Sequence, residues 1–96
     1  MVCQPDRHGM KPVWFVYILY SIKTGKLYTG ITTDLERRIE EHNGRGKHGA
    51  KATRAGRPWT LVRVERAATK SFALKREAAL KKLRKADKLL LVGLSA

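Results

Sequence analysis

At 96 residues the chain has room for one domain around one modest core. Its 21 Lys and Arg against 8 Asp and Glu give a net charge of +13, which repels itself unless a polyanion is present and points first to nucleic acid. An ordinary apolar content argues against disorder, the single cysteine (Cys3) excludes an intrachain disulfide and argues against a cysteine-based zinc site, and no apolar run is long enough to span a bilayer.

An anionic membrane surface and a ribosomal neighbourhood are the competing explanations of the charge. A reducing cytoplasm fits the lone cysteine. Residues 1–12 mix Pro, Gly and charges without periodicity and are expected to be a loose tail before a single domain at 13–94.

Val13–Tyr20 is aromatic or β-branched almost throughout and predicts a strand. Ser21–Gly25 carries turn chemistry and Lys26–Ile31 predicts a second strand, so the two form a hairpin. Alternation puts Tyr17 and Leu19 on one face, and places Tyr28 beside Tyr17 unless the register slips by one residue.

Thr33-Asp34-Leu35-Glu36 fits a capping box with Thr33 over the first turn, opening a helix from Asp34 to about His42 that Asn43-Gly44 stops. Gly44–Gly56 is glycine-rich and basic, with one helical turn expected near Lys51–Ala55. Pro58–Glu65 alternates as a third strand. Thr69–Leu83 carries the strongest helix signal, and Lys85–Leu94 is a short apolar ending, either a last helix or an extended cover. The order ββα(α)βα(α) predicts an α+β fold: a three-stranded antiparallel sheet flanked by helices.

Some residues do not suit a plain core. Leu35, Arg38, Ile39 and His42 share one helix face, so an arginine and a histidine lie on or beside the buried side, whereas Arg37 points to solvent. Left without an anion or acceptors, a guanidinium there costs several kcal/mol, roughly, and pairing with Glu41 or Asp34 is the structural alternative. On the long helix the expected apolar stripe is Phe72, Ala79, Leu80 and Leu83, with Ala73 at one edge and Glu77 just outside it. Glu77 can form an ordinary surface pair with Lys81 or, alone among Lys75, Arg76, Lys81 and Lys82, hold a divalent cation against a phosphate. Lys47, Lys51, Arg54 and Arg57 lie in a stretch with no acidic residue between Glu41 and Glu65, as expected of a surface that follows a phosphate backbone.

Taken together these residues resemble the GIY-YIG nuclease family, most of all its small stand-alone bacterial members. The signature halves appear as Phe15-Val16-Tyr17 and Tyr28-Thr29-Gly30, followed by Arg38 and His42 and by Glu77 within Lys75-Arg76-Glu77-Ala78. The resemblance covers roughly Val13 to Leu83. It implies a GIY-YIG endonuclease-like fold and phosphodiester hydrolysis in DNA, with RNA as the alternative substrate, using one divalent cation, Mg²⁺ or Mn²⁺, and no small-molecule cofactor.

By the same resemblance Glu77 holds the metal, Tyr17 and Tyr28 position or deprotonate the attacking water, Arg38 supports charge on the phosphate, and His42 is another candidate for proton transfer. The choice of base between tyrosine and histidine stays open. Phe15 and Val16 replace the Gly and Ile of the first motif, Ile31 stands where some relatives have a lysine, and no clear asparagine stands late in the chain, where some relatives have one that supports the metal indirectly, behind its ligands. A structure-specific role in repair or recombination is an analogy. A non-catalytic nucleic-acid-binding module on the same fold is the alternative, and a small basic structural protein the third.

Overall fold

The computed structural model describes residues 13–44 and 54–93. The elements are β1 (Trp14–Ser21), β2 (Leu27–Thr32), α1 (Leu35–His42), β3 (Trp59–Ala67), α2 (Lys70–Lys82) and α3 (Lys85–Leu91). The sheet is antiparallel in the order β2-β1-β3. This is the expected α+β architecture, and the ending is the helical one of its two alternatives. The expected tail at 1–12, Lys47, Lys51 and most of the expected turn at 51–55 lie outside the described residues.

β1 is hydrogen-bonded on both edges and covered on both faces, which is why Val16, Tyr17, Ile18 and Leu19 are all buried. Alternation sorts them. Val16 and Ile18 pack with Ala73 and Leu80 of α2, joined by Leu27, Ile31, Val62 and Leu91. Tyr17 and Leu19 pack on the other face with Trp59, Tyr28 and the α1 residues Leu35 and Ile39.

The hairpin turns on Gly25, whose φ of +73° is left-handed and suits a residue without Cβ. Ser21 Oγ accepts from Thr24 N, and Gly25 N donates to Ser21 O. The register pairs Tyr17 with Gly30 and leaves Tyr17 and Tyr28 on one face. A bulge in β3 lets Leu61 oppose Leu19 while Val64 opposes Tyr17. Those two residues are three apart and would face opposite ways on a regular strand.

Three expectations need correction. The N-cap of α1 is Asp34, not Thr33: Asp34 Oδ1 accepts from Arg37 N at 3.2 Å, and Thr32 Oγ1 accepts from Asp34 N. A carboxylate at this position caps well and also favours the positive end of the helix. Thr69 stands outside α2 as its N-cap, its hydroxyl accepting from Phe72 N.

The buried residues of α2 are Ala73 and Leu80, with Glu77 partly buried between them; Leu80 was expected there, whereas Phe72 is 64% exposed and Ala79 is also exposed. Ala73 and Leu80 pack on Val16 and Ile18, and this setting of the helix leaves Arg76, one position before Glu77, beside β3. Arg76 Nε and Nη2 donate to the two oxygens of Glu65, which also accepts from Arg63 Nε at 2.7 Å. These contacts, led by the Arg76 hydrogen bonds, hold the Glu65 carboxyl below its ordinary range.

The close approach of β1 to β2 makes Gly30 a packing requirement. A Cβ placed there would lie 2.5 Å from Tyr17 Oη and 2.7 Å from its Cζ. Gly30→Ala is expected to lower stability by about 1–3 kcal/mol, as overpacked cores do, in urea unfolding. A Tyr17→Phe background should recover only part of the loss, because the ring carbon still clashes.

Candidate functional site

The site is built on the α1 face of the sheet. β1 contributes Tyr17, β2 contributes Tyr28, and α1 contributes Arg38 and His42 one turn apart. Tyr17 and His42 are 1% and 0% exposed, and the Tyr17 hydroxyl lies 2.8 Å from His42 Nε2. Tyr28 packs against both, with ring centroids 4.7 Å from His42 and 6.4 Å from Tyr17, and presents an edge to Trp59. The four residues on the two signature strands and the first helix are therefore adjacent.

Arg38 is held from one side by Glu41 Oε1 at 2.9 Å and also hydrogen-bonds the Tyr17 phenol. The expected pairing with Glu41 and the contact to the tyrosine thus coexist. A guanidinium can only donate, so the phenol oxygen accepts from Arg38, and we assign the phenol's own proton to the bond with Nε2 of His42.

Burial, with the Tyr28 phenol beside it, pushes the Tyr17 hydroxyl up to about 12, even though Arg38 acts the other way. Burial, reinforced by Arg38, pushes His42 down to about 4. Both groups are neutral at pH 7. A neutral imidazole can accept the phenol's proton in a hydrogen bond, which a protonated one could not.

Glu77 comes from α2 on the opposite face. Its side chain is 18% exposed, and its carboxylate pairs with Lys81 Nζ at 3.1 Å. The structure does not place it in hydrogen-bond contact with the quartet, but its charge reaches the Tyr17 phenol and opposes deprotonation there. Among the described residues no three His, Cys, Asp or Glu side chains gather. A single carboxylate suits Mg²⁺, which retains several waters and shares one or two carboxylates with substrate phosphates, so the donor set fits one such ion at Glu77. An incoming cation would replace the Lys81 ammonium.

Beside Arg38 an open cleft of about 560 Å³ is lined by Trp14, Ile31, Thr32, Thr33, Arg37 and Glu41. Of the basic-loop residues, Arg54 is exposed, and Arg57 is engaged locally: its Nε donates to His42 O at 2.7 Å. This satisfies a carbonyl at the end of α1.

Asn43 was legible only as a helix stop. Its side chain also accepts from Trp59 N at 2.5 Å and donates to Trp59 O at 3.1 Å, fixing the end of α1 to β3 and so the position of His42. The partner lies 16 residues away, and no local pattern announces it.

Comparison with known proteins agrees with this geometry. Residues 13–89 match the family described as the GIY-YIG catalytic domain. A UPF0213 protein of Desulfotalea psychrophila is 49% identical over 85 residues, covering 88% of this chain and 76% of its own length. One from Syntrophus aciditrophicus is 51% identical over 79 residues, covering 81% and 87%.

Two structures solved in solution by NMR share the fold. The UPF0213 protein of Bacillus halodurans has a TM-score of 0.52 and 40% identity, covering 83% of this chain and 82% of that one. A protein of E. faecalis has a TM-score of 0.56 and 39% identity, covering 84% of each. With the family match spanning most of its length, the chain belongs to the GIY-YIG family, a nuclease-type family, and within it to the UPF0213 group.

Proposed function

We propose that residues 13–94 act as a single metal-dependent endonuclease domain that hydrolyses phosphodiester bonds in DNA. The observation that carries this reading is the buried Tyr17–His42 hydrogen bond, braced by Arg38 and within electrostatic reach of Glu77. A buried polar cluster of this kind is costly for a small core unless every member is satisfied, and such clusters concentrate at functional sites.

In this reading Arg38 binds the scissile phosphate and opposes the charge that builds on its oxygens during attack. Glu77 would hold one divalent cation, which when bound polarises a phosphate oxygen. Tyr17 orients the attacking water. Because a free phenolate is disfavoured here, the water's proton passes to Tyr17 Oη as the phenol's proton moves to Nε2 of His42. Tyr28 closes the site beside them and excludes water from the imidazole. Lys47, Lys51 and Arg54 would contribute phosphate contacts, whereas Arg57 helps mainly by holding the end of α1. The lone cysteine is compatible with a reducing cytoplasm, and no helix among the described residues is long and apolar enough to cross a membrane.

Glu77→Ala should abolish Mg²⁺- or Mn²⁺-dependent nicking of supercoiled plasmid while retaining DNA binding. Arg38→Ala should lower the cleavage rate by roughly 100- to 1,000-fold, the usual loss when one donor to a developing oxyanion is removed. Equal nicking by wild type and Glu77→Ala would sink the nuclease reading and leave a nucleic-acid-binding module.

The His42 imidazole gives a separate pH test. With a folded pKa of about 4 against 6.5 when unperturbed, the unfolded chain binds more protons throughout that window. This contribution is fully present above about pH 6.5 and is lost as pH falls toward 4, by about 3 kcal/mol in all. His42→Gln should flatten that part of the pH–stability curve in urea unfolding. The wild-type imidazole should titrate near pH 4 by NMR.

A further inference from the structure

A second basic site lies at the far end of β2. Lys26, Lys85 and Lys88 line a cleft of about 320 Å³ with Leu27 as its apolar wall. They come from the hairpin and from α3, so the tertiary fold, not a run of sequence, brings them together. Lys85 reaches back over the turn: a Cβ at Gly25 would lie 3.9 Å from its Nζ.

Among the described residues none of the three forms an ion pair, and the neighbouring Asp87 instead pairs with Arg84 at 3.6 Å. Like charges spaced three apart on a helix repel by a few tenths of a kcal/mol, and a third ammonium from another element adds to that. An anion in the cleft would remove the repulsion.

β2 is an outer strand, and its other end carries the cleft beside Arg37 and Arg38. From Leu27 to Thr32 is five steps, about 17 Å at the rise of an antiparallel strand. That matches the rise of about five base pairs along a duplex axis. We propose that Lys26, Lys85 and Lys88 bind a backbone phosphate of duplex DNA whose scissile phosphate sits at Arg38, so that the substrate runs along the outer edge of β2. This rests on the nuclease reading for the position of the scissile phosphate, and the lysine site itself can be tested without cleavage.

The test is the salt dependence of binding of a short fluorescein-labelled duplex, by anisotropy, in a Glu77→Ala background. Lys85→Ala/Lys88→Ala is compared with Lys75→Ala/Lys82→Ala, which removes the same charge from exposed positions roughly opposite Glu77 around α2. Alanine favours helix, so neither pair should unfold the protein. The Lys85/Lys88 pair should make the slope of log K against log salt shallower by about 0.9, as expected for one lost phosphate contact, with the control pair near zero.

Equal shifts from both pairs, or none from Lys85/Lys88, would overturn the site. So would inorganic phosphate binding that needs these lysines while duplex affinity does not. If the lysine dependence holds but the protein without the Glu77 substitution cuts no DNA with Mg²⁺ or Mn²⁺, the phosphate site stands and the nuclease reading falls.

Discussion

The structure depends on one contact: the Tyr17 phenol lying over Gly30 with its hydroxyl against Nε2 of His42. It fixes the register of β1 on β2, because only glycine leaves room beneath the ring. It fixes α1 on the sheet, because the imidazole must be brought to that hydroxyl. Burial then makes the bond costly to break, since a buried polar group that loses its partner is not rescued by solvent.

The rest of the architecture supports that contact from outside. Asn43 fastens the end of α1 to Trp59, Arg57 satisfies the His42 carbonyl, and Tyr28 packs across the imidazole. On the other face, Ala73 and Leu80 of α2 pack over Val16 and Ile18 with Glu77 between them, and Arg76 pairs with Glu65 of β3.

The same arrangement changes how the tyrosine can be used. A tyrosine near an arginine suggests a lowered pKa, and Arg38 does pull that way. Burial and the facing phenol outweigh it, so the hydroxyl moves up to about 12 while His42 moves down to about 4. Charge separation inside the pair is disfavoured in both directions. This favours passing a proton through the pair over storing a phenolate or an imidazolium in it.

Local periodicity determined the strands, the helices and their order. The capped turn at Thr32–Asp34 was legible to within one residue, because side-chain capping competes only with near neighbours. The charge of +13 and the spacing of Tyr17, Tyr28, Arg38, His42 and Glu77 were likewise readable in the chain, and they carried the family resemblance.

What the chain could not show is which way α2 faces. Its residues offered a stripe of Phe72, Ala79, Leu80 and Leu83 with Ala73 at one edge, and the packing of Ala73 and Leu80 on Val16 and Ile18 centred the buried face on that edge and left Phe72 exposed. The pKa directions, the Asn43 clamp and the meeting of Lys26 with Lys85 and Lys88 were equally hidden. Each arises from desolvation or from contacts between distant segments, and those exist only once the helices have closed on the sheet.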